Sequence, residues 1–262
     1  MKPEDLLQVL ALAVIFTPLE QLLPAGTRDW SPRRLFTDVL HLLVSGAMIR
    51  WGCVAAAVAV GWAIGQAAPG GMGQAVRSQP TWLQFAELFV LSDLCFYAAH
   101  RLVHSVPWLW RFHEIHHSSE HLDWLATYRV HPVDQILNST IIALPSLVFG
   151  FAPLALLIYA LVYRAHALLL HANIRLDFGP LKWVIASPHY HHWHHANEPA
   201  AYDRNFGGQL VIFDWLFGTL NMPAHRPAAF GVVAPVPVTF LGQLAHPFRR
   251  AERPRPAIKE TA

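Results

Sequence analysis

Apolar positions along this chain gather in five runs, most of them near the roughly 20 residues a helix needs to cross a bilayer core of about 30 Å. The first, residues 6–23, is interrupted by Pro18, Glu20 and Gln21 near its end. No small-residue cleavage site follows a short apolar core, so it reads as an anchor rather than a removed signal peptide. The second, 40–64, carries Arg50 as its one charge, and the third runs from 83 to 104, with Asp93, His100, Arg101 and His104 on its later turns. Two shorter runs, 136–151 and 154–170, meet at Pro153 as a helical hairpin. They either cross or dip deeply without crossing. The Pro/Gly-rich stretch 65–80 reads as a loop, and no repeat or polar linker divides the chain. The pattern predicts an all-α, multi-pass membrane bundle forming a single domain over residues 1–262, with a helical cap.

Basic residues orient such a bundle, because cytoplasmic loops are enriched in Lys and Arg. If 6–23 enters from outside, Arg28, Arg33 and Arg34 fall inside and the 65–80 loop, with Arg77, falls outside. The third run then returns, and Arg101, Arg111, Arg129, Arg175, Lys182, Arg204, Arg226 and the basic tail 249–259 follow on the inside. Only Lys2 and Arg77 remain outside. The histidine-rich segments are therefore expected on the cytoplasmic face.

Composition agrees with a membrane chain and excludes several classes. Only 14% of residues are charged against 54% hydrophobic, with mean hydropathy +0.31. A net charge of +2, with no basic stripe interleaved with aromatics, excludes a nucleic-acid binder. Cys53 and Cys95 stand alone in apolar runs, too few for a disulfide framework or a Cys-based zinc site. Histidine is the outlier: 17 residues, as many as Asp and Glu together.

The histidines cluster as His100-Arg-Leu-Val-His104, His113-Glu-Ile-His116-His117 and His191-His192-Trp193-His194-His195. Residues at i, i+3 and i+4 share a helix face. His100 and His104 thus point together, as do His113, His116 and His117, and the spacing recurs at His191, His194 and His195. Within this third cluster only His191 has histidine at both i+3 and i+4, so His189 and His192 are read as neighbours or donors to the ligands. A structural zinc takes four ligands and a catalytic zinc three plus water. Eight converging imidazoles argue for two metals. Asp93, Glu114, Asp134 and Asp214 are candidates to orient imidazoles by hydrogen bonds, Asp93 foremost. Trp108, Trp110, Trp124 and Trp193 line the cap or form an interfacial belt. His41, His121, His225 and His246 lack spacing partners and read as interfacial or surface residues.

These pieces resemble the fatty acid hydroxylase/sterol desaturase superfamily of membrane di-iron oxygenases. The resemblance covers residues 92–220: Asp93-Leu-Cys-Phe-Tyr97 leading into His100-Arg101…His104, Phe112-His113…His116-His117-Ser118-Ser119, Arg129-Val-His131-Pro132, His171-Ala-Asn173, Ser187-Pro188…His191…His194-His195, and Asn205-Phe-Gly207…Asp214-Trp-Leu-Phe217-Gly218-Thr219. It implies two irons held by His100, His104, His113, His116, His117, His191, His194 and His195, with His171 as a further ligand from a membrane helix. His131, in the His-Pro motif, is a weaker candidate, and His166 reads as a packed or supporting group. The implied reaction is O2-dependent hydroxylation or desaturation of a lipid C–H bond, the lipid entering from the bilayer. No haem or flavin domain is apparent, so electrons are expected from a separate protein, and a bacterial inner membrane is the expected location. Two other classes compete. A His-rich zinc hydrolase would need a general-base carboxylate set as in HExxH, and His113-Glu-Ile-His116 has the wrong spacing. A metal transporter would carry ionisable groups along a spanning path, whereas these histidines gather at segment ends.

Overall fold

The computed structural model describes residues 3–27, 30–67 and 72–249. Lys2, Arg28 and the tail beyond 249, used in the charge argument, lie outside the described residues. The described chain is helical: α1 (Pro3–Leu22), α2 (Pro32–Leu40), α3 (Gly46–Ala67), α4 (Met72–Arg77), α5 (Thr81–Ser105), α6 (Pro107–His117), α7 (Pro132–Phe149), α8 (Pro153–His171), α9 (Pro188–His194), α10 (Ile212–Leu216) and α11 (Phe240–Ala245). The stretch expected as a loop at 65–80 carries α4. A π-helical turn, His41–Ser45, joins α2 to α3, giving a continuous 34-residue apolar helix, Pro32–Gly65. At 1.5 Å per residue this is about 50 Å, longer than a bilayer core. With α5, α7 and α8, four helices are long and apolar enough to cross a membrane. Their outward faces are apolar, as at Trp51, Val58, Trp62 and Leu161.

Proline and caps set the boundaries. Val106 is extended between α5 and Pro107, the first residue of α6, so the chain folds back sharply after Ser105. His131 accepts from Val133 N and caps α7, with Pro132 at its first position. Ser187 caps α9 through Tyr190 N, again followed by proline. The helix bundle packs α3 on α7, and α5 on α7, α8 and α6, while α9 sits on α8. Gly52 on α3 lies so close to α7 that an added Cβ would collide with Ile136 Cδ1.

Buried charges tie the cap to the bundle. Asp38 accepts from Arg129 Nε at 2.6 Å and Arg34 at 3.3 Å, and Arg34 reaches Asp123 at 2.5 Å. Glu20 accepts from the backbone N–H groups of Trp124 and Asn173 at 2.7 and 3.0 Å. Asp93 is the midpoint of α5 and fully buried. Its carboxylate accepts from the backbone N–H groups of Gly208, Gln209 and Leu210 at 3.1, 2.7 and 2.8 Å. Gly208 is required there, because a Cβ would meet Phe96 Cδ1 at 2.6 Å. Leu210 bridges to Ile185, and Ala186 O accepts from His166 on α8 at 2.7 Å. Irregular backbone is thus inserted beside α5 and α8, two helices long and apolar enough to cross a membrane, and beside such helices it persists only if its polar groups are paired within the protein.

Candidate metal centre

The fold-back after Ser105 lays α6 against the end of α5, and α8 ends against α9. Nine imidazoles meet there. His100, His104, His113, His117 and His194 form one group and His116, His171, His191 and His195 a second, with the ligand atoms of each within 4.8 Å of one another. Spacing alone did not divide them this way. His116 and His117 are adjacent on α6, about 100° apart around the helix, and enter different groups. On α9 likewise, His194 departs from His191 and His195. His171, a lone histidine by spacing, sits inside the second group.

Five of the rings are held by their Nδ1 atoms. His100, His116, His171 and His194 place Nδ1 at 2.9, 3.2, 2.8 and 2.8 Å from the carbonyl oxygens of Phe206, Arg129, Ala167 and Arg204. A carbonyl only accepts, so these nitrogens carry the proton and the neutral ring presents a bare Nε2 lone pair. His113 Nδ1 faces the Asp134 carboxylate at 3.0 Å, with the same consequence. His104 Nδ1 lies 3.5 Å from Asp203.

These lone pairs then confront one another. His100 and His113 bring their Nε2 atoms to 3.1 Å, and His116 and His171 to 3.0 Å. His191 Nε2 lies 3.0 Å from that of His171 and 3.1 Å from that of His195. The Nε2 atoms of His104, His117 and His194 are buried without a partner. Two facing acceptors repel unless a cation lies between them. Protons fill that role poorly here. Burial first, and neighbouring imidazoles next, hold His116, His117, His191 and His195 well below the ordinary histidine value, and burial brings His194 down to about 3. A neutral, converging imidazole set suits a divalent transition metal.

Aromatic rings cover the first group. Trp110 lies 4.8 Å from the His104 ring and 5.3 Å from His117, and Phe206 lies 5.1 Å from His104. Trp108 is exposed, Trp124 packs on Phe16 and Trp193 on His225, so of the four tryptophans only Trp110 covers the histidines.

Other expectations are corrected. Asp93 orients a loop rather than an imidazole. Asp214 accepts from Phe206 N, Gly207 N and Thr219 Oγ1, and Glu114 pairs with His246 Nε2 at 2.7 Å, so of the proposed acids only Asp134 meets a ring of either group. His131 lies outside both groups: Nδ1 accepts from Val133 N, and Nε2 donates to Leu244 O at 3.2 Å. His189 and His192 donate to Pro223 O and Ala172 O instead of supporting ligands. His41, expected at an interface, is 1% exposed and bonds Val130 O, Ser45 Oγ and Gln243 Oε1. The Asp203 and backbone carbonyl partners were missed altogether. A carbonyl carries no signature in a sequence.

The model of the fatty acid hydroxylase family matches residues 85–219, more than half of the chain. The ornithine lipid hydroxylase of Rhizobium tropici is 31% identical over 255 residues, covering 93% of this chain and 75% of that protein. Alkylglycerol monooxygenase of Danio rerio is 32% identical over 162 residues, covering 59% of this chain, and that of Homo sapiens 31% over 155 residues, covering 56%. The match spans only 33% of the length of each of these two monooxygenases. No solved structure matches. A family model over most of the histidine-bearing region and a relative aligned along nearly the whole chain make this protein a member of the fatty acid hydroxylase family.

Proposed function

We propose that the chain is a membrane di-iron oxygenase that hydroxylates or desaturates a C–H bond of a lipid. His100, His104, His113, His117 and His194 would hold one iron, and His116, His171, His191 and His195 the other. The observation that carries this reading is the convergence of nine imidazoles in two groups, with the Nε2 lone pairs of His100 and His113, and of His116 and His171, facing each other at 3.1 and 3.0 Å. Two reduced irons would supply the electrons needed to turn O2 into an oxidant for an unactivated C–H bond. The chain's own part is to fix His100, His113, His116, His171 and His194 through Nδ1 and to keep water from the first group with Trp110 and Phe206. The relatives are named for an ornithine lipid and for alkylglycerols. A bilayer lipid with a polar head and an alkyl chain is accordingly the substrate class, entering from the membrane, and a separate protein supplies electrons. The bacterial relative and the basic-residue bias support an inner-membrane location with both groups on the cytoplasmic side. Glu114 is turned to His246, and neither group contains a carboxylate among the described residues. Both facts favour oxidation over zinc hydrolysis.

Lipid mass spectrometry of cells with and without the gene tests the reaction. A gene-dependent gain of one oxygen or loss of two hydrogens, abolished by His171→Ala, is expected. Unchanged lipids, or active protein holding a single zinc per chain, would overturn it.

A further inference from the structure

The segment Asp203–Phe206 supplies no ligand, yet it touches three rings of one histidine group. Asp203 and Asn205 both adopt left-handed backbone, φ 55° and 59°, a conformation uncommon outside glycine. Flanking Arg204, they turn Arg204 O onto His194 Nδ1 at 2.8 Å and Phe206 O onto His100 Nδ1 at 2.9 Å. The Asp203 carboxylate stands 3.5 Å from His104 Nδ1. All three rings belong to the five-histidine group. The four-histidine group draws its Nδ1 partners from elsewhere, Arg129 O and Ala167 O.

Asn205 holds the segment in this shape. It is fully buried. Its Nδ2 donates to Tyr190 O and Asn221 O at 2.9 and 2.6 Å, and its Oδ1 accepts from Asn221 N at 2.7 Å. Its own N–H donates to Thr219 O at 3.0 Å. Both side-chain donors are used and the oxygen is engaged, so no other residue type reproduces the pattern.

We propose that residues 203–206 form a clamp specific to the five-histidine metal, with Asn205 as its positioning residue. The clamp fixes His100 and His194 as Nδ1–H tautomers, turning their Nε2 lone pairs inward, and leaves the four-histidine metal untouched. This rests on the di-iron reading above.

Asn205→Asp is the direct test, because it keeps the shape but sets carboxylate oxygens against two carbonyls. In full-length, detergent-purified protein loaded with iron-57, iron should fall from two per chain to one, and one Mössbauer site should disappear. Adding His171→Ala should remove the remaining iron. Retention of two irons, or equal loss from both sites, overturns the clamp. Asp203, whose side chain is 73% exposed, gives a second test without a buried change. Asp203→Gly and Asp203→Val both delete the carboxylate, but only the β-branched residue resists positive φ. Gly should retain more of the second iron than Val, which should fall toward one; equal iron in the two variants overturns the clamp. Wild-type protein that does not hold two irons fails the di-iron reading and the clamp with it, whereas two irons in the wild type with indifferent variants fails the clamp alone.

Discussion

Removing the Asp134 carboxylate should weaken metal binding at the five-histidine group in graded steps. Asp134 is 4% exposed and its Oδ2 lies 3.0 Å from His113 Nδ1, while Oδ1 accepts from Asn138 Nδ2 at 2.9 Å. A hydrogen bond to a charged group contributes about 1.5–3 kcal/mol, and a neutral one about 0.5–1.5. Asp134→Ala deletes the bond, frees His113 to rotate or change tautomer, and should cost ~10–100-fold in affinity, the usual effect of losing such a partner. Asp134→Asn is gentler. Asn138 Oδ1 is buried without a partner, so a flip of Asn138 offers an acceptor to the introduced amide, whose own oxygen still faces His113. At His113 only the charge is then lost, about 1 kcal/mol or roughly fivefold in metal affinity, while the flip gives up the Asn138 Nδ2 bond to Asp134 O at 3.1 Å, a cost to stability. Competition titration with a chromophoric chelator, in detergent, reads both variants against the wild type. Equal affinities for all three proteins, or a weaker Asn than Ala variant, would refute the argument that this carboxylate sets the His113 tautomer.

His41→Ala should lower thermal stability by about 2–3 kcal/mol, because it strands the buried Val130 carbonyl and Gln243 amide, yet leave the iron content unchanged; loss of iron would mean that His41 acts on the metal. Gly52→Ala should destabilise the α3–α7 contact by about 1–3 kcal/mol through overpacking, and adding Ile136→Val should restore only part of it in the same melting assay, since it removes Cδ1 but leaves Cγ1 2.8 Å from the new Cβ. Metal-free protein should lose stability on acidification. His116, His117, His191, His194 and His195 titrate below the ordinary value when folded, so below pH about 6.5 the unfolded chain binds more protons than the folded one, and each residue removes up to about 1.4 kcal/mol per pH unit. Their contribution is complete above that pH and declines as it falls, reaching its full loss for His194 near pH 3; a flat melting profile between pH 7 and 5 would contradict it.

The helices were legible because their signals are local. Long apolar runs located α3, α5, α7 and α8, Pro153 marked where α8 begins, and i, i+3, i+4 spacing gathered the ligand candidates. Partners distant in the chain were not legible. Asp93 looked like an imidazole partner because it precedes His100 by seven residues. On a helix that offset is nearly two turns, and a segment 115 residues later claims the carboxylate instead. His41 looked solitary because its partners, Val130 and Gln243, lie 89 and 202 residues away. α4 was hidden in a Pro/Gly-rich stretch that propensity assigns to loop.

The anchoring of residues 208–210 on Asp93 also constrains how the protein is made. α5 is synthesised long before its partner segment, and an aspartate at the centre of a membrane helix costs about 2.5–3.5 kcal/mol on insertion. Until Leu210 has been translated, that carboxylate lacks its full set of three backbone donors. The nascent bundle is therefore provisional, and its central helix settles only when the carboxyl-terminal third arrives to claim it. A ribosome stalled before residue 208 leaves an intermediate with an open polar seam along α5.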